Sequence, residues 1–159
     1  MKRLALAFLA LTALAMPARA ATLLGVTVTT AVTAQTGPVL QAQTRFGRAA
    51  NMTIQGNFTY GSGGTSADAW VQTSIDGGAT WTDVVNFHFL VASSRQVFNV
   101  SALTPVTTVY TPTDGTLAAN TAKDGVIGTQ WRVKYTTVGT YGGNTRLQID
   151  IQGAALTAQ

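Results

Sequence analysis

Residues 66–89 read SADAWVQTSIDGGATWTDVVNFHF. Ala67, Ala69, Val71, Thr73 and Ile75 alternate with Asp68, Trp70, Gln72 and Ser74. After Asp76-Gly77-Gly78, the residues Trp81, Asp83, Val85, Phe87 and Phe89 alternate with Thr82, Val84, Asn86, His88 and Leu90. Successive side chains of a strand point to opposite faces. Period-two patterning on both sides of a D-G-G turn therefore predicts one long β-hairpin. One of its faces is apolar; the other carries Asp68, Trp70, Gln72 and His88.

The same pattern extends outward. Residues 22–30 (TLLGVTVTT) and 38–43 (PVLQAQ) read as strands, with residues 45–50 as a loop between the second and the next. Met52, Ile54, Phe58 and Tyr60 define a half-buried strand in which Gly56 fills one apolar slot. Residues 61–64 (GSGG) are a flexible turn. Further strands are expected at residues 96–103, 106–110, 126–138 and 146–151. Residues 111–125 (TPTDGTLAANTAKDG) form the longest loop, and the chain past Gly153 is expected to fray. No amphipathic helix is read after residue 20. About eight to ten short antiparallel strands with one dry face each imply two packed sheets. The expected fold is an all-β antiparallel sandwich, jelly-roll-like, formed by residues 21–159 as one domain.

Residues 1–20 stand apart. Met1-Lys2-Arg3 is a basic start, residues 4–16 are an apolar run, and Ala18 and Ala20 offer an A-x-A site. This reads as a secretory signal peptide with a leader helix, or as a start assigned too early. Three of the ten basic residues lie there, so most of the net charge of +4 belongs to the leader. It is no nucleic-acid footprint. After leader removal nothing calls for a membrane partner either. Arg132 and Lys134 sit two apart on a strand, hence on one face, and read as a solvated sheet face.

The chain has no cysteine, which excludes disulfides, thiolate catalysis and thiolate metal sites. It has no glutamate: the carboxylates are Asp68, Asp76, Asp83, Asp114, Asp124 and Asp150. Asp76, Asp114 and Asp124 precede glycines and read as turn residues bonding nearby backbone. Asp68 and Asp83 read as solvated acids. His88 is the one histidine, with no nucleophile motif beside it. No D-x-D-x-D spacing offers a calcium loop. No catalytic residue, cofactor or metal is expected. Trp81 and Trp131 read as core. Trp70, on the polar face of its strand, is a candidate platform for a sugar or a protein interface, or a residue of a second sheet's inner face. Asp114 and Lys123, in the longest loop, join Trp70 as candidate interface residues.

Two resemblances add to this. Ser74, Asp76, Gly78, Thr80 and Trp81 match S-x-D-x-G-x-T-W, and the turn resembles the Asp-box of sialidases and related glycan-processing proteins. The likeness implies a structural turn that Asp76 fixes and Trp81 anchors. The sialidase catalytic set has no counterpart here. More broadly, residues 57–84, 104–125 and 131–151 look like a group of small virion proteins of tailed phages and prophages. That resemblance implies a non-enzymatic β-sandwich that decorates or cements a capsid. Its partner would be the major coat protein, and its state a homo-oligomer such as a trimer. The alternative is an exported bacterial β-sandwich, periplasmic or secreted, that binds glycan or a surface partner through Trp70, Tyr60 or Tyr141.

Overall fold

The computed structural model describes residues 20–41 and 49–155, and these form β-strands and connections without a helix. The expected leader helix lies outside the described residues. The strands are β1 (Ala21–Thr27), β2 (Val32–Thr36), β3 (Leu40–Gln41), β4 (Ala49–Thr59), β5 (Ser62–Gly63), β6 (Ser66–Ser74), β7 (Thr82–Phe89), β8 (Ser94–Ser101), β9 (Gln130–Val138), β10 (Tyr141–Gly142) and β11 (Arg146–Ala155). The eleven include three two-residue bridges, so the longer strands fall within the expected number.

One sheet has the order β1-β11-β4-β8 and the other β2-β9-β6-β7, with β3 also on β9 and β5 paired to β10. Every pairing is antiparallel. Among the longer strands the pairing is nested: β1 with β11, β2 with β9, β4 with β8, and β6 with β7. The chain thus behaves as one long hairpin folded over on itself, and the hairpin 66–89 is its tip.

The sheets share a single core. Met52, Ile54, Phe58, Leu147, Ile149 and Ile151 from the first meet Val71, Phe87, Phe89, Trp131 and Val133 from the second. Phe58 stacks on Phe89 with centroids 5.4 Å apart. At Gly56 the rings of the opposite sheet pack directly on the backbone. A Cβ there would stand 2.9 Å from both the Phe87 and Phe89 rings. The apolar slot read from the sequence is filled by rings from the opposite sheet.

Several boundaries differ from the sequence reading. Residues 106–110 and 126–129 are not strand; one irregular segment runs from residue 102 to residue 129. Strand β2 was not expected. Its residues are mostly exposed and show no apolar alternation, as befits an edge. Ala49 and Ala50 belong to β4 rather than to a loop, and β11 continues past Gly153 to Ala155. Ile75 does not extend the hairpin's apolar face but lies exposed in the turn.

Candidate functional site

The outer face of the second sheet carries three cross-strand rows. Asp83, Gln72 and Arg132 form one, Asn86, Trp70 and Lys134 the next, and His88, Asp68 and Thr136 the third. Asp83 joins this face because of a β-bulge. Val71 pairs with Val85 but Gln72 pairs with Asp83, leaving Val84 as an extra residue. A bulge shifts the side-chain phase by one. Asp83 therefore faces away from Val85, Phe87 and Phe89, with which the sequence pattern grouped it.

Over these rows lies the segment 102–129, a strap. Gly115 N–H donates to both Asp83 oxygens at 2.9 and 2.8 Å. Thr116 N–H follows at 3.0 Å and Leu117 N–H at 3.2 Å. Gln72 Nε2 donates to Asp83 Oδ1 at 2.7 Å and to Asp114 Oδ1 at 2.7 Å. Asp83 is not solvated, as expected of it, but 0% exposed. A buried carboxylate is tolerable because several donors converge on it.

The remaining rows hold the strap as well. The Leu117 carbonyl accepts from Trp70 Nε1 at 3.0 Å and Asn86 Nδ2 at 3.2 Å. Lys134 Nζ donates to Asp114 Oδ1 at 2.6 Å, and Arg132 Nη2 lies 3.5 Å from the same oxygen. Burial alone would raise the Asp114 carboxyl. The Lys134 and Gln72 hydrogen bonds and the Lys134 and Arg132 charges hold it below the usual value. Burial likewise lowers the Arg132 guanidinium. Asp68 pairs with His88 Nδ1 at 2.8 Å, and Asn120 Oδ1 accepts from His88 N–H.

The strap also occupies the open edge of β7. Asp83 N–H donates to Thr113 O, Asn86 N–H to Thr121 O, and Lys123 N–H to Val84 O. Lys123 Nζ sits 4.5 Å from the Tyr110 ring centroid, and Tyr110 OH donates to Asp83 O. Burial raises the Tyr110 hydroxyl above its ordinary value. Asp124 accepts from Ser101 N–H and from Thr104 Oγ1. Asp114 and Asp124 thus bind residues remote in sequence rather than their own turns.

Of the candidate interface residues, Trp70 is half-buried with its N–H engaged, so it is no bare platform. Asp114 and Lys123 lie on the strap but on different arms. Arg132 and Lys134 are largely covered, not solvated. Sequence reasoning missed Asp83, Gln72 and Asn86. Gln72 and Asn86 were readable on the polar hairpin face, and the remaining cue was an aspartate, Asp83, standing in an otherwise apolar phase.

The hairpin turn is a second, separate constellation. Ser74 Oγ donates to Asp76 Oδ1 at 2.7 Å, and Gly78 N–H donates to Ser74 Oγ at 2.8 Å. Thr80 N–H and Oγ1 donate to the two Asp76 oxygens at 2.9 and 2.6 Å. The hydrogen bonds from the Thr80 hydroxyl, the Thr80 amide and the Ser74 hydroxyl lower the Asp76 carboxyl to about 2. Trp81 Nε1 donates to Gly78 O, and its ring lies 4.2 Å from the Arg132 guanidinium carbon. Trp81 is half-buried rather than core, whereas Trp131 is fully buried.

Among the described residues no group of three or more His, Asp or Glu side chains is placed to hold a metal ion. The strap's outer side bears Leu103, Val106 and Val109, and Val109 is 99% exposed. Val106, Thr108, Val109, Tyr110, Lys123 and Asp124 line a shallow depression of about 240 Å³. Comparison with protein-family models, with curated proteins and with solved structures returns no match.

Proposed function

We propose that this protein is a non-enzymatic structural protein of a phage or prophage particle, a decoration protein that cements the coat lattice. The observation that carries the reading is the strap. Its inner side is fixed by hydrogen bonds to the buried Asp83 carboxylate, while its outer side holds Leu103, Val106 and Val109 in solvent. Val106 and Val109 line one depression, and contiguous exposed aliphatic surface is what a protein partner covers. A surface held this rigidly is suited to a large preformed partner, because little ordering entropy remains to be lost on binding.

The nested strand pairing supports the same reading. Two sheets of four long strands, paired from the chain ends inward, correspond to a jelly roll, an architecture used by viral capsid and lectin domains. Binding only the assembled state would stabilise the shell by mass action. The partner on this reading is the major coat protein, and the protein acts as a homo-oligomer on the outside of the particle. The polar groups of the covered face serve to hold the strap; the Trp70 ring, half under it, is a poor sugar platform.

The test is mass spectrometry of purified particles from the source bacterium after induction. The decoration reading expects this chain in stoichiometric amount with the coat protein. Its recovery free in the periplasm or medium, processed after Ala20 and absent from particles, would replace this reading with the exported binder.

A further inference from the structure

A sheet edge is a row of unpaired backbone donors and acceptors, and proteins blunt such edges. Of the four edges of the two large sheets, three are blunted. The strap covers β7. The pairing of β2 breaks between Val32 and Gln35, where Ala34 has a φ of 51°. That of β1 shifts between Thr22 and Leu24. Strand β8 differs: it pairs with β4 without irregularity from Ser94 to Ser101.

The ladder fixes which of its groups are open. Ala102 N–H donates to Ala50 O. Bonded pairs alternate along an antiparallel ladder. Val100, Phe98, Gln96 and Ser94 therefore turn their backbone groups to β4, and Ser101, Asn99, Val97 and Arg95 turn theirs to the free edge. Ser101 fits this count, because Asp124 takes its N–H and Gly125 N–H donates to its carbonyl. There the strap stops. Among the described residues nothing takes the backbone groups of Arg95, Val97 and Asn99. Val97 is also exposed, as are Leu90 and Val91 before β8 and Leu103 after it.

We infer that β8 pairs antiparallel with β8 of a second copy of this chain, Val97 facing Val97 across a twofold axis. The open groups are self-complementary in this register. Arg95 faces Asn99 of the second copy, Val97 faces Val97, and Asn99 faces Arg95. Each such pair exchanges two hydrogen bonds, so all the open donors and acceptors of both copies are used. The two arginines do not oppose each other. Ser101, closed by the strap, falls opposite Ser93 of the second copy, just before its β8. The strap thus acts as a stop for the partner strand. The product is one continuous eight-stranded sheet with an isologous interface. This inference rests on the edge alone and is independent of the lattice reading; a dimer would suit a lattice twofold.

The test is sedimentation equilibrium of the full chain over a concentration series, with three variants. The parent is expected to approach twice 16.6 kDa as concentration rises. Val97→Lys puts a charge at the centre of the contact and should leave a monomer that melts where the parent melts at concentrations too low for it to dimerise. Val97→Pro removes an N–H that β4 does not use, which an edge strand tolerates, and should do the same. Should Val97→Pro melt early, Val97→Lys decides. The chain has no cysteine, so Val97→Cys offers a single thiol. It should be joined to its mate by a thiol-to-thiol reagent only a few ångströms long, whereas Asn99→Cys should not. The two Asn99 positions lie four residues apart along the paired strands, roughly 13 Å. A parent that stays monomeric, a trimer, or a dimer untouched by Val97→Lys would overturn the inference.

Discussion

Gln72 and Asp83 face each other across the β6–β7 ladder, and the Gln72 amide donates to the Asp83 carboxylate at 2.7 Å. The pair exists because Val84 bulges and turns Asp83 onto the outer face. Three consecutive strap amides then close on that carboxylate. Replacing Asp83 by Ala should cost about 3 kcal/mol or more, because buried donors lose a charged acceptor. Thermal melts measure the loss. Amide exchange locates it: Gly115, Thr116 and Leu117 should lose protection well before the core strands.

Trp81 and Trp131, both read as core from the sequence, should separate clearly. Trp131 is fully buried, and Trp131→Ala should cost about 3–5 kcal/mol. Trp81 is half-buried, and its contact with Arg132 contributes about 0.5–1 kcal/mol. Trp81→Ala should therefore lower the melting temperature distinctly less. Equal losses in the two variants would contradict the placement of Trp81.

Gly56→Ala should destabilise by about 1–3 kcal/mol, although alanine costs less backbone entropy than glycine in a strand. The added methyl would meet Phe87 and Phe89 from the opposite sheet at 2.9 Å. A melt at or above the parent's would mean that the sheets are not so close there.

The Asp76 turn gives a pH dependence with a definite sign. Its carboxyl falls from 3.8 to about 2 in the folded chain. A depressed carboxylate contributes stability that is present above the unfolded value and lost as pH falls through the folded one. Asp76→Ala should therefore melt below the parent at neutral pH. The gap should narrow between pH 4 and pH 2. Melts of both proteins across that window check it.

The hairpin 66–89 was legible because each strand alternates and the turn carries its own Asp and glycines. The core of β4, β9 and β11 was legible for the same reason. The site was not. Asp83 sits in phase with Val85, Phe87 and Phe89 in sequence, and only the bulge at Val84 takes it out of phase. Arg132 and Lys134 read as solvated because nothing in residues 102–129 announces a cover. The sheet partners of that segment lie as far as 55 residues away, and its backbone satisfies itself on an edge and a side-chain row rather than in a ladder. Strand β2 is an edge with little to bury, so VTAQT carries no alternation.

The most direct test of the central claim is co-sedimentation with assembled coat lattice against free coat subunits, using the parent and Val109→Asp. Val109 is 99% exposed, so the variant should melt with the parent, within about 0.5 kcal/mol. A decoration protein that docks by the strap predicts that the parent pellets with the lattice, ignores free subunits, and loses lattice binding on Val109→Asp. Equal binding of lattice and free subunits, no binding to either, or full lattice binding by Val109→Asp would contradict it.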